Sequence, residues 1–493
     1  MNKNHNKNSL AALLTLLAFV PVCGLAQNSD SGEDLKLENC ELIVPGTSIT
    51  QMAECGWYEV AENPAEPDGR KSALRVARVP ASDRSTEPDP LVFFAGGPGQ
   101  AATETWPIMA YSLRKLNENR DIVLVDQRGT GQSNPLRCPQ VELEEALGLD
   151  WDRLEQSTQE CLDQLDGDPR FYTTTIAMQD VDKVRAALAY EKVNLFGVSY
   201  GTRAAQVYFR LFPERVRSMV LDSVVPQTLT LGTEHARNLD EAIYRVLDGC
   251  NEDSDCREAF PDTAQKLAGL VKLLETSPVE VTVTHPNTGK PYGLTFDRDV
   301  LASSLRFLTY SADTQAMLPL LIHEAATDSY FERMASQMLI AASSLQQSIA
   351  QGMELSVICA EDFPLFPTEA GNDGFLMSDI MLKSSQVQCG VWPTGPVPDD
   401  FHEPVGGDIP VLLLSGELDP VTPPRYAEQL LPHFPDSRHL VAPGQGHSVS
   451  GRGCMGRLLT EFVIAGSSAE LDTSCLEQMQ TSPYFISLTG PRP

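Results

Sequence analysis

The sequence predicts an α/β fold in which a mostly parallel central sheet carries a mainly helical insertion. Two observations lead to this prediction. Short apolar runs with β character alternate with helical patterns in two blocks of the chain, which is typical of a parallel sheet covered by helices on both faces. Between the blocks, from about residue 226 to residue 404, the pattern is mainly helical. With 493 residues, 42% of them hydrophobic, the chain can bury a large core.

The two blocks supply the predicted strands of the sheet. The first block contains six apolar runs, at residues 55–60, 73–79, 91–94, 122–125, 193–196 and 219–221. A helical pattern at residues 176–190 precedes the fifth run, and another helix-compatible segment follows it. The last block adds strands at residues 410–415 and 438–441 and a helix at residues 458–464.

The insertion is predicted to form a cap over the site. Its best helix candidates are residues 239–247, 264–274, 300–308 and 334–349. At this point of the chain an insertion lies above the carboxyl ends of the strands, where open α/β sheets bind ligands, and it can act as a lid. We therefore divide the chain into a signal peptide at 1–26, a first core part at 27–225, the cap at 226–404 and a second core part at 405–493.

The first 26 residues have the pattern of a cleaved secretory signal peptide. Two lysines precede an apolar run at residues 10–22, and small residues stand before a cleavage site after Ala26. Lipoprotein anchoring at Cys23 is the alternative, which we disfavour because Val22 is bulkier than lipoprotein processing prefers. No later segment has about 18 uninterrupted apolar residues, so we predict no transmembrane anchor in the mature chain. Export to the periplasm or the medium is expected.

The charge and the cysteines agree with an exported enzyme. Lys and Arg total 37 against 67 Asp and Glu, and a net charge of −30 disfavours binding to nucleic acids and anionic membranes. Cleavage after Ala26 leaves ten cysteines, an even number that favours disulfides. Connectivity stays open from sequence, but sequential pairing closes only short loops and is our prediction: Cys40 with Cys55, Cys138 with Cys161, Cys250 with Cys256, Cys359 with Cys389, and Cys454 with Cys475.

We predict no metal and no cofactor. The chain has no Cys-x-x-Cys and no His-Glu-x-x-His, and its eight histidines show no other ligand spacing. The expected partner is a peptide or a small ester or amide substrate. The sequence leaves the oligomeric state open.

Ser199 is the predicted nucleophile. The apolar run at residues 193–196 leads into Gly-x-Ser-x-Gly, from Gly197 to Gly201, and a helical segment follows. This pattern is typical of a nucleophile elbow, a sharp strand-to-helix turn that exposes the serine hydroxyl. A glycine-rich turn without a catalytic role is the alternative.

Asp419 and His447 complete a predicted triad. Asp419 follows the strand at 410–415, and His447 follows the strand at 438–441. The chain order Ser, Asp, His is that of the α/β-hydrolases. In that arrangement His447 takes the proton of Ser199, and Asp419 orients the imidazole and stabilises its charged form.

An oxyanion hole is predicted beside the serine. The glycine-rich segment at residues 94–99 follows a strand directly, so its backbone can approach a reacting carbonyl. We assign the hole to the N–H groups of Gly97 and Tyr200, with Gly96 as the alternative donor to Gly97.

Four ordered motifs make the chain similar to the proline iminopeptidase and tripeptidyl aminopeptidase-like serine peptidases. They are Ala-Gly-Gly-Pro-Gly at 95–99, Asp-Gln-Arg-Gly-Thr-Gly-Gln-Ser at 126–133, Gly-Val-Ser-Tyr-Gly at 197–201, and Gly-Glu-Leu-Asp-Pro-Val-Thr-Pro at 416–423. The resemblance spans nearly the whole mature chain. It departs at Ala95, where proline iminopeptidases usually carry His, which argues against strict prolyl specificity. The motif at 126–133 is expected to be structural, with Arg128 paired to a nearby acid.

The resemblance implies an aminopeptidase, and such an enzyme needs an acid to bind the substrate ammonium. Glu361 and Asp362 are our candidates, in a segment similar to the Cys-x-x-Asp of secreted family members. A solvated acidic pair is the alternative. We predict an exported serine hydrolase that releases single residues or short peptides from free N-termini. A carboxylesterase or other small-substrate hydrolase with the same triad is the second hypothesis, and a silent binding protein is the third.

Overall fold

A nine-stranded sheet forms the centre of the protein, in the order β1-β2-β3-β5-β4-β6-β7-β10-β11. The structure, a computed structural model, describes residues 35–139, 151–367, 374–377 and 379–492, so the predicted signal peptide and Cys23 lie outside it. The strands are β1 Glu38–Ile43, β2 Thr50–Ala61, β3 Lys71–Val79, β4 Leu91–Phe94, β5 Ile122–Val125, β6 Val193–Val198, β7 Val216–Asp222, β10 Val411–Gly416 and β11 Ser437–Ala442.

The sheet is antiparallel at one side and parallel through the rest. Strands β1, β2 and β3 pair antiparallel, and β3 pairs antiparallel with β5. From β5 through β4, β6, β7 and β10 to β11, each pair of neighbours is parallel. All eight predicted strands are present. The edge strand β1 was missed, because most of its side chains are exposed and give no clear apolar run.

Helices flank the sheet and fill the region between β7 and β10. Those of the described residues are α1 Ala102–Ala110, α2 Trp151–Gln164, α3 Thr174–Ala187, α4 Tyr200–Leu211, α5 His235–Glu252, α6 Ser254–Ala259, α7 Thr263–Leu274, α8 Arg298–Thr309, α9 Ala312–Gln315, α10 Leu318–Asp328, α11 Phe331–Ser348, α12 Gln351–Val357, α13 Ile380–Val391, α14 Pro424–Glu428 and α15 Met455–Ala465.

The central strands are apolar because both of their faces are buried. Along β4, Val92 and Phe94 pack into the core on one side, beneath α3 and α4. Leu91 and Phe93 point to the other side, where α1 and α15 cover them. This alternation follows from the period of two along a strand. It explains why the strands read as continuous apolar runs.

The cap region has a core of its own. Three of the four helices predicted there lie within observed helices, namely α5, α7 and α8, and the fourth, predicted at 334–349, extends one residue past the end of α11. A hairpin of β8 Val279–Thr284 and β9 Pro291–Phe296 joins them, and it was not predicted. Its buried residues alternate, with Val281 and Val283 turned into the cap core beside Leu294. The exact domain boundaries stay a prediction.

The structure pairs the ten cysteines in the sequential order that the sequence predicted. Of these bridges, Cys359–Cys389 links the segment with Glu361 and Asp362 to α13. None of the helices among the described residues combines the length and the apolar character that crossing a membrane requires.

Candidate active site

Ser199 stands between a strand and a helix with a strained backbone. β6 ends at Val198, α4 begins at Tyr200, and Ser199 has φ 55° and ψ −124°. A Cβ added at Gly197 would meet the Gly201 carbonyl oxygen at 2.2 Å, and one at Gly201 would meet the Phe94 carbonyl oxygen at 2.2 Å. Only glycine fits these two positions, so the local geometry is that of a nucleophile elbow.

The carboxyl ends of four adjacent parallel strands bring the candidate residues together. Val198 of β6 pairs with Asp222 of β7, and Asp222 pairs with Leu414 of β10. The last residues of β10 and β11, Gly416 and Ala442, also pair. Because parallel strands all point the same way, the segments that follow them lie at one edge of the sheet. We call this edge the catalytic edge; it carries Ser199, Asp222, Asp419 and His447.

Asp419 and His447 are joined by a close hydrogen bond. The His447 Nδ1 lies 2.8 Å from Asp419 Oδ2 and 3.0 Å from Oδ1. Asp419 also accepts the N–H groups of Val421 and Thr422, at 2.8 and 2.9 Å, and the Thr422 hydroxyl at 2.8 Å. The carboxylate is thus held in one orientation. Thr422 had no role in the sequence prediction, although it stands in the quoted 416–423 motif.

These contacts shift the pKa values of both groups. Burial opposes the charged form of each, but the Asp419 charge and hydrogen bond, with the charge of Asp222, raise the pKa of His447 above its ordinary value. The His447 charge and the hydrogen bonds from His447, Thr422 and Val421 lower the pKa of Asp419 despite burial. The pair therefore favours an ionised Asp419 and an imidazole that accepts a proton readily.

Asp222 and Ser223 hold the loop that carries His447, and the sequence did not predict this role. The fully buried Asp222 accepts the N–H groups of Val449, at 3.0 Å, and Ser450, at 2.8 Å. The Ser223 hydroxyl accepts the Ser448 N–H at 2.8 Å. An acidic residue at the end of a central strand is the only sequence feature that could have indicated it. These bonds tie the histidine loop to the strand beside the nucleophile.

Ser199 and His447 lie at the same edge, but their hydrogen bond is not formed. Within the part of the chain that the structure describes, Ser199 Oγ makes no hydrogen bond to His447. Catalytic hydrogen bonds are often long in free enzymes and shorten on substrate binding. The triad as a catalytic unit stays a prediction.

The glycine-rich loop after β4 lies against the nucleophile. A Cβ added at Gly96 would meet the Ser199 Cβ at 3.3 Å. Among the described residues, the N–H groups of Gly97 and Tyr200 are donated to no carbonyl. Both donors are therefore available for an oxyanion beside Ser199, as the predicted hole requires.

The cap contacts both the histidine loop and the glycine-rich loop. The Tyr310 carbonyl, just after α8, accepts the His447 N–H at 2.8 Å, and the two rings lie 5.4 Å apart. The N–H of Ala350 is donated to the Gly99 carbonyl at 3.0 Å. The cap therefore closes over the site from both ends.

Glu361 and Asp362 are buried, which rules out the solvated acidic pair. Asp362 pairs with Arg203 at 2.9 Å and accepts the Leu231 N–H at 2.8 Å. Glu361 accepts the Thr174 N–H at 2.6 Å and the Thr174 hydroxyl at 2.8 Å. Burial raises the pKa of Glu361 to about 7.

A chain of hydrogen bonds links Glu361 to the nucleophile turn. The Thr174 hydroxyl that donates to Glu361 also lies 2.6 Å from the Tyr200 hydroxyl. Tyr200 is fully buried and directly follows Ser199. Glu361 is therefore linked to Tyr200 through the Thr174 hydroxyl. The contact of Glu361 with a substrate ammonium stays a prediction.

Three charged or titratable groups of the cap were missed by the sequence prediction. Together with Tyr310 they form what we call the cap face: His235 at the start of α5, Arg306 on α8, Tyr310 and Glu354 on α12. Burial raises the pKa of Glu354 to about 7 against the charge of Arg306. Burial and the charges of Arg306 and His447 lower the pKa of His235 to about 3. No sequence motif marks these residues, because they come from distant helices.

Two polar groups of the cap face, on Glu354 and His235, have no hydrogen-bond partner among the described residues. The Glu354 side chain is half-buried, and its carboxylate accepts no hydrogen bond from the described residues. The buried Nδ1 of His235 likewise has no hydrogen-bond partner among them. Polar groups held in this way are available to a substrate.

The motif at 126–133 has the structural role that the sequence predicted. Arg128 pairs with Asp180 at 2.7 Å, and both are fully buried. Asp126 accepts the Thr103 N–H and hydroxyl, each at 2.9 Å. The described residues contain no group of three His, Cys, Asp or Glu side chains placed to hold a metal ion.

Comparison with known proteins agrees with this geometry. Residues 89–254 match the family model described as alpha/beta hydrolase fold, and residues 376–475 match the model described as TAP-like protein. The chain therefore has the α/β-hydrolase fold, and the fold and the resemblance that the sequence predicted are confirmed.

Several relatives of the chain are named as peptidases. Serine protease Hip1 of Mycobacterium tuberculosis is 24% identical over 492 residues, which cover 90% of this chain and 91% of that protein. Tripeptidyl aminopeptidase of Streptomyces coelicolor is 25% identical over 467 residues, 88% of this chain and 85% of that protein. Proline iminopeptidase of Neisseria gonorrhoeae is 28% identical over 147 residues, 29% of this chain and 35% of that protein.

Proposed function

We propose that this α/β-hydrolase is an exported serine aminopeptidase that releases single residues or short peptides from free N-termini. The observation that carries the proposal is the close His447–Asp419 pair at the same sheet edge as the strained Ser199. The relatives that cover most of the chain, a serine protease and a tripeptidyl aminopeptidase, support a peptide substrate.

The proposed reaction proceeds through an acyl-enzyme. Ser199 Oγ attacks the carbonyl carbon of the scissile bond while His447 takes its proton, and the oxyanion accepts the N–H groups of Gly97 and Tyr200. His447 then gives the proton to the leaving amine, and the carbon–nitrogen bond breaks. Water attacks the acyl-enzyme by the same route and restores Ser199. Asp419 holds the Nδ1 proton throughout and stays ionised.

Aminopeptidase specificity requires an acid that reaches the substrate ammonium. Asp362 is occupied by Arg203, and Glu361 already accepts two hydrogen bonds from Thr174. Glu354 meets the requirement better, because its carboxylate has no hydrogen-bond partner among the described residues and keeps some solvent access. We therefore add Glu354 to Glu361 and Asp362 as a third candidate for the contact with the substrate ammonium.

A paired-substrate assay separates the proposal from the esterase alternative. Each aminoacyl or tripeptidyl chromogenic amide is assayed in two forms, one with a free N-terminus and one with an acetylated N-terminus. Simple chromogenic esters are assayed alongside them. The proposal expects the free amines to be cleaved at least about tenfold faster than their acetylated forms, since a charge-assisted contact to a desolvated ammonium contributes roughly 1.5–3 kcal/mol. Equal rates, or cleavage of the esters alone, would favour the carboxylesterase.

Export is tested on the mature protein. We expect a mature chain that begins at Gln27 and contains no free thiol, since all ten remaining cysteines are paired. Intact mass and thiol titration of the denatured, unreduced protein measure both. Several reactive thiols per chain would contradict an oxidising compartment, and an acylated Cys23 would establish a lipoprotein instead.

A further inference from the structure

Arg306 projects from the cap beside the catalytic histidine. It lies on α8 four residues before Tyr310, which still has helical backbone angles, so the two side chains share one helical face. Tyr310 is the residue whose carbonyl and ring contact His447. The guanidinium is thus one helical turn from the residue that touches the catalytic imidazole.

The charge of Arg306 reaches groups on three other segments. It interacts electrostatically with His447 on the catalytic edge, with His235 at the start of α5 and with Glu354 on α12. The guanidinium therefore lies near enough to each of the three for their charges to interact, on the cap face that also carries Tyr310.

The guanidinium has no carboxylate partner within the described part of the chain. Its one hydrogen bond there, apart from backbone contacts, is from Nη1 to the Met381 Sδ at 3.5 Å. Other buried arginines of this protein are paired: Arg128 with Asp180 and Arg203 with Asp362. Without an ion pair, a half-buried cation is only partly compensated by the charge of Glu354, so a carboxylate that enters the site gains a strong partner.

We propose that Arg306 binds a carboxylate of the substrate and so makes the enzyme selective for acidic substrates. The proposal rests on the proposed function and deepens it. Two sources supply the same chemistry: an acidic side chain next to the scissile bond, or the free C-terminal carboxylate of a short peptide. The planar guanidinium offers paired N–H donors that match either one.

The net charge of the protein makes a local cation necessary for such a substrate. A chain with a net charge of −30 repels anions in general. A carboxylate therefore needs a positive charge at the site to bind. Arg306 supplies that charge while Glu354, on the same cap face, remains available to an ammonium, so a short zwitterionic peptide complements both.

The test uses matched substrates that differ in one charge. Amides with Glu or Gln at each residue preceding the scissile bond examine the side chain, and short peptides with free or amidated C-termini examine the terminus. For the wild-type protein we expect about tenfold to a hundredfold higher kcat/KM for the carboxylate member of one series. Arg306→Gln should bring that ratio close to one, and Arg306→Lys should keep part of it, because Lys retains charge without the paired donors.

Arg298→Gln is the matched control. Arg298 stands on the same helix but pairs with Glu275 at 3.4 Å, away from the cap face, so the ratio should stay at the wild-type value. A wild-type ratio near one in both series would overturn the proposal. So would an Arg306→Gln variant that loses activity equally on both members of a pair, which would indicate a packing role through Met381.

A parallel pair of esters separates this inference from the proposed function. One ester carries a carboxylate in its acyl group, and the other carries the corresponding carboxamide. If no peptide is cleaved but the carboxylate ester is preferred and Arg306→Gln removes that preference, the aminopeptidase proposal fails and the role of Arg306 stands. If peptides are cleaved without any carboxylate preference, the reverse holds.

Discussion

Asp419 at the catalytic edge and Glu354 on the cap face are both carboxylates removed from bulk water, and their surroundings differ. Asp419 accepts hydrogen bonds from His447, Thr422 and Val421, and these contacts lower its pKa. Glu354 accepts none from the described residues, and burial raises its pKa to about 7. The protein thus holds the acid of the proposed triad in one charge state. It leaves the acid of the cap free to change state when a ligand arrives.

The same contrast applies to the positive groups. His447 is bound on one side by Asp419 and on its backbone by Tyr310, so its ring has a defined orientation. Arg306 has only a thioether contact within the described chain. Contacts within the protein position the groups of the proposed triad, whereas the charges of the cap face have few such contacts and are available to a substrate.

Removing the nucleophile should give the largest effect. Ser199→Ala removes the Oγ atom that the proposed mechanism uses as the nucleophile. We expect turnover to fall by about 10⁶-fold with the fold retained. Steady-state kinetics measures the loss, and circular dichroism checks the fold. A fluorophosphonate probe should label Ser199 in the wild-type protein. Labelling of a different serine, or full activity of the alanine variant, would sink the mechanism.

Asp419→Asn tests the carboxylate that hydrogen bonds hold in one orientation, and it should cause the second-largest loss of activity. The amide keeps the shape but favours the wrong imidazole tautomer, so we expect about a 10⁴-fold loss of kcat on peptides and esters alike. Glu354→Gln serves as the comparison and should lose far less on an ester that carries no amine. Similar losses on that ester would erase the distinction between the two carboxylates.

Neutralising the acids of the cap tests amine recognition at a smaller scale. Glu354→Gln should lower kcat/KM about tenfold to a hundredfold for free-amine peptides, with little change for acetylated ones. Glu361→Gln examines the original sequence prediction in the same assay. Asp362→Asn should instead destabilise the fold, since it leaves Arg203 buried without its partner, and thermal unfolding will report this. If only Glu361→Gln abolishes the free-amine preference, the contact belongs to Glu361.

The smallest of these effects should be a difference in pH dependence between free-amine peptides and esters. His447 must be neutral to act as a base, so kcat/KM on esters rises with pH through its raised pKa. Glu354 loses its charge as the pH falls below about 7, so free-amine peptides should lose additional activity there. The ratio of peptide to ester kcat/KM should therefore decline towards acid pH. A constant ratio in the wild-type protein would argue against an ionised Glu354 as the ammonium partner.

Asp222→Asn should shift the pH profile of kcat/KM on esters. Removing this charge takes away one of the groups that raise the pKa of His447, so the acid limb on esters should move to lower pH. Among the largest influences on that histidine, burial and the charge of Arg306 oppose its protonation, whereas Asp419 and Asp222 favour it; the charge of His447 also acts on His235. An acid limb that stays in place while activity falls would limit Asp222 to holding the loop.

Much of the sheet could be predicted because local sequence reports burial on both faces. Strands such as β4 and β6 are continuous apolar runs, and the glycines at 197 and 201 are imposed by contacts of their own turn. The edge strand β1 and the hairpin of β8 and β9 were missed. Their residues face solvent on one side, which weakens the apolar pattern that indicates a strand.

The candidate site divides in a similar way. Ser199, Asp419 and His447 each follow a predicted strand in a known chain order, so their sequence positions were sufficient to propose them. Asp222 acts through bonds to a loop more than 200 residues away, and Thr422 acts through the side chain of Asp419, whose orientation the sequence does not report. The environment of Glu361 and Asp362 was beyond prediction as well, because Thr174 and Arg203 come from other helices.

The amino-acid sequence was enough to predict the fold class, the order of the triad, the resemblance and a disulfide pairing through short loops, since each depends on local patterns or on chain order. Which acids have hydrogen-bond partners became visible in the folded chain alone. Charge state depends on burial and on neighbours within a few ångströms, and here the residues concerned come from the loops after β10 and β11 and from α8 and α12, which are far apart in the chain. The cap face with Arg306 and Glu354 exists only where these segments meet.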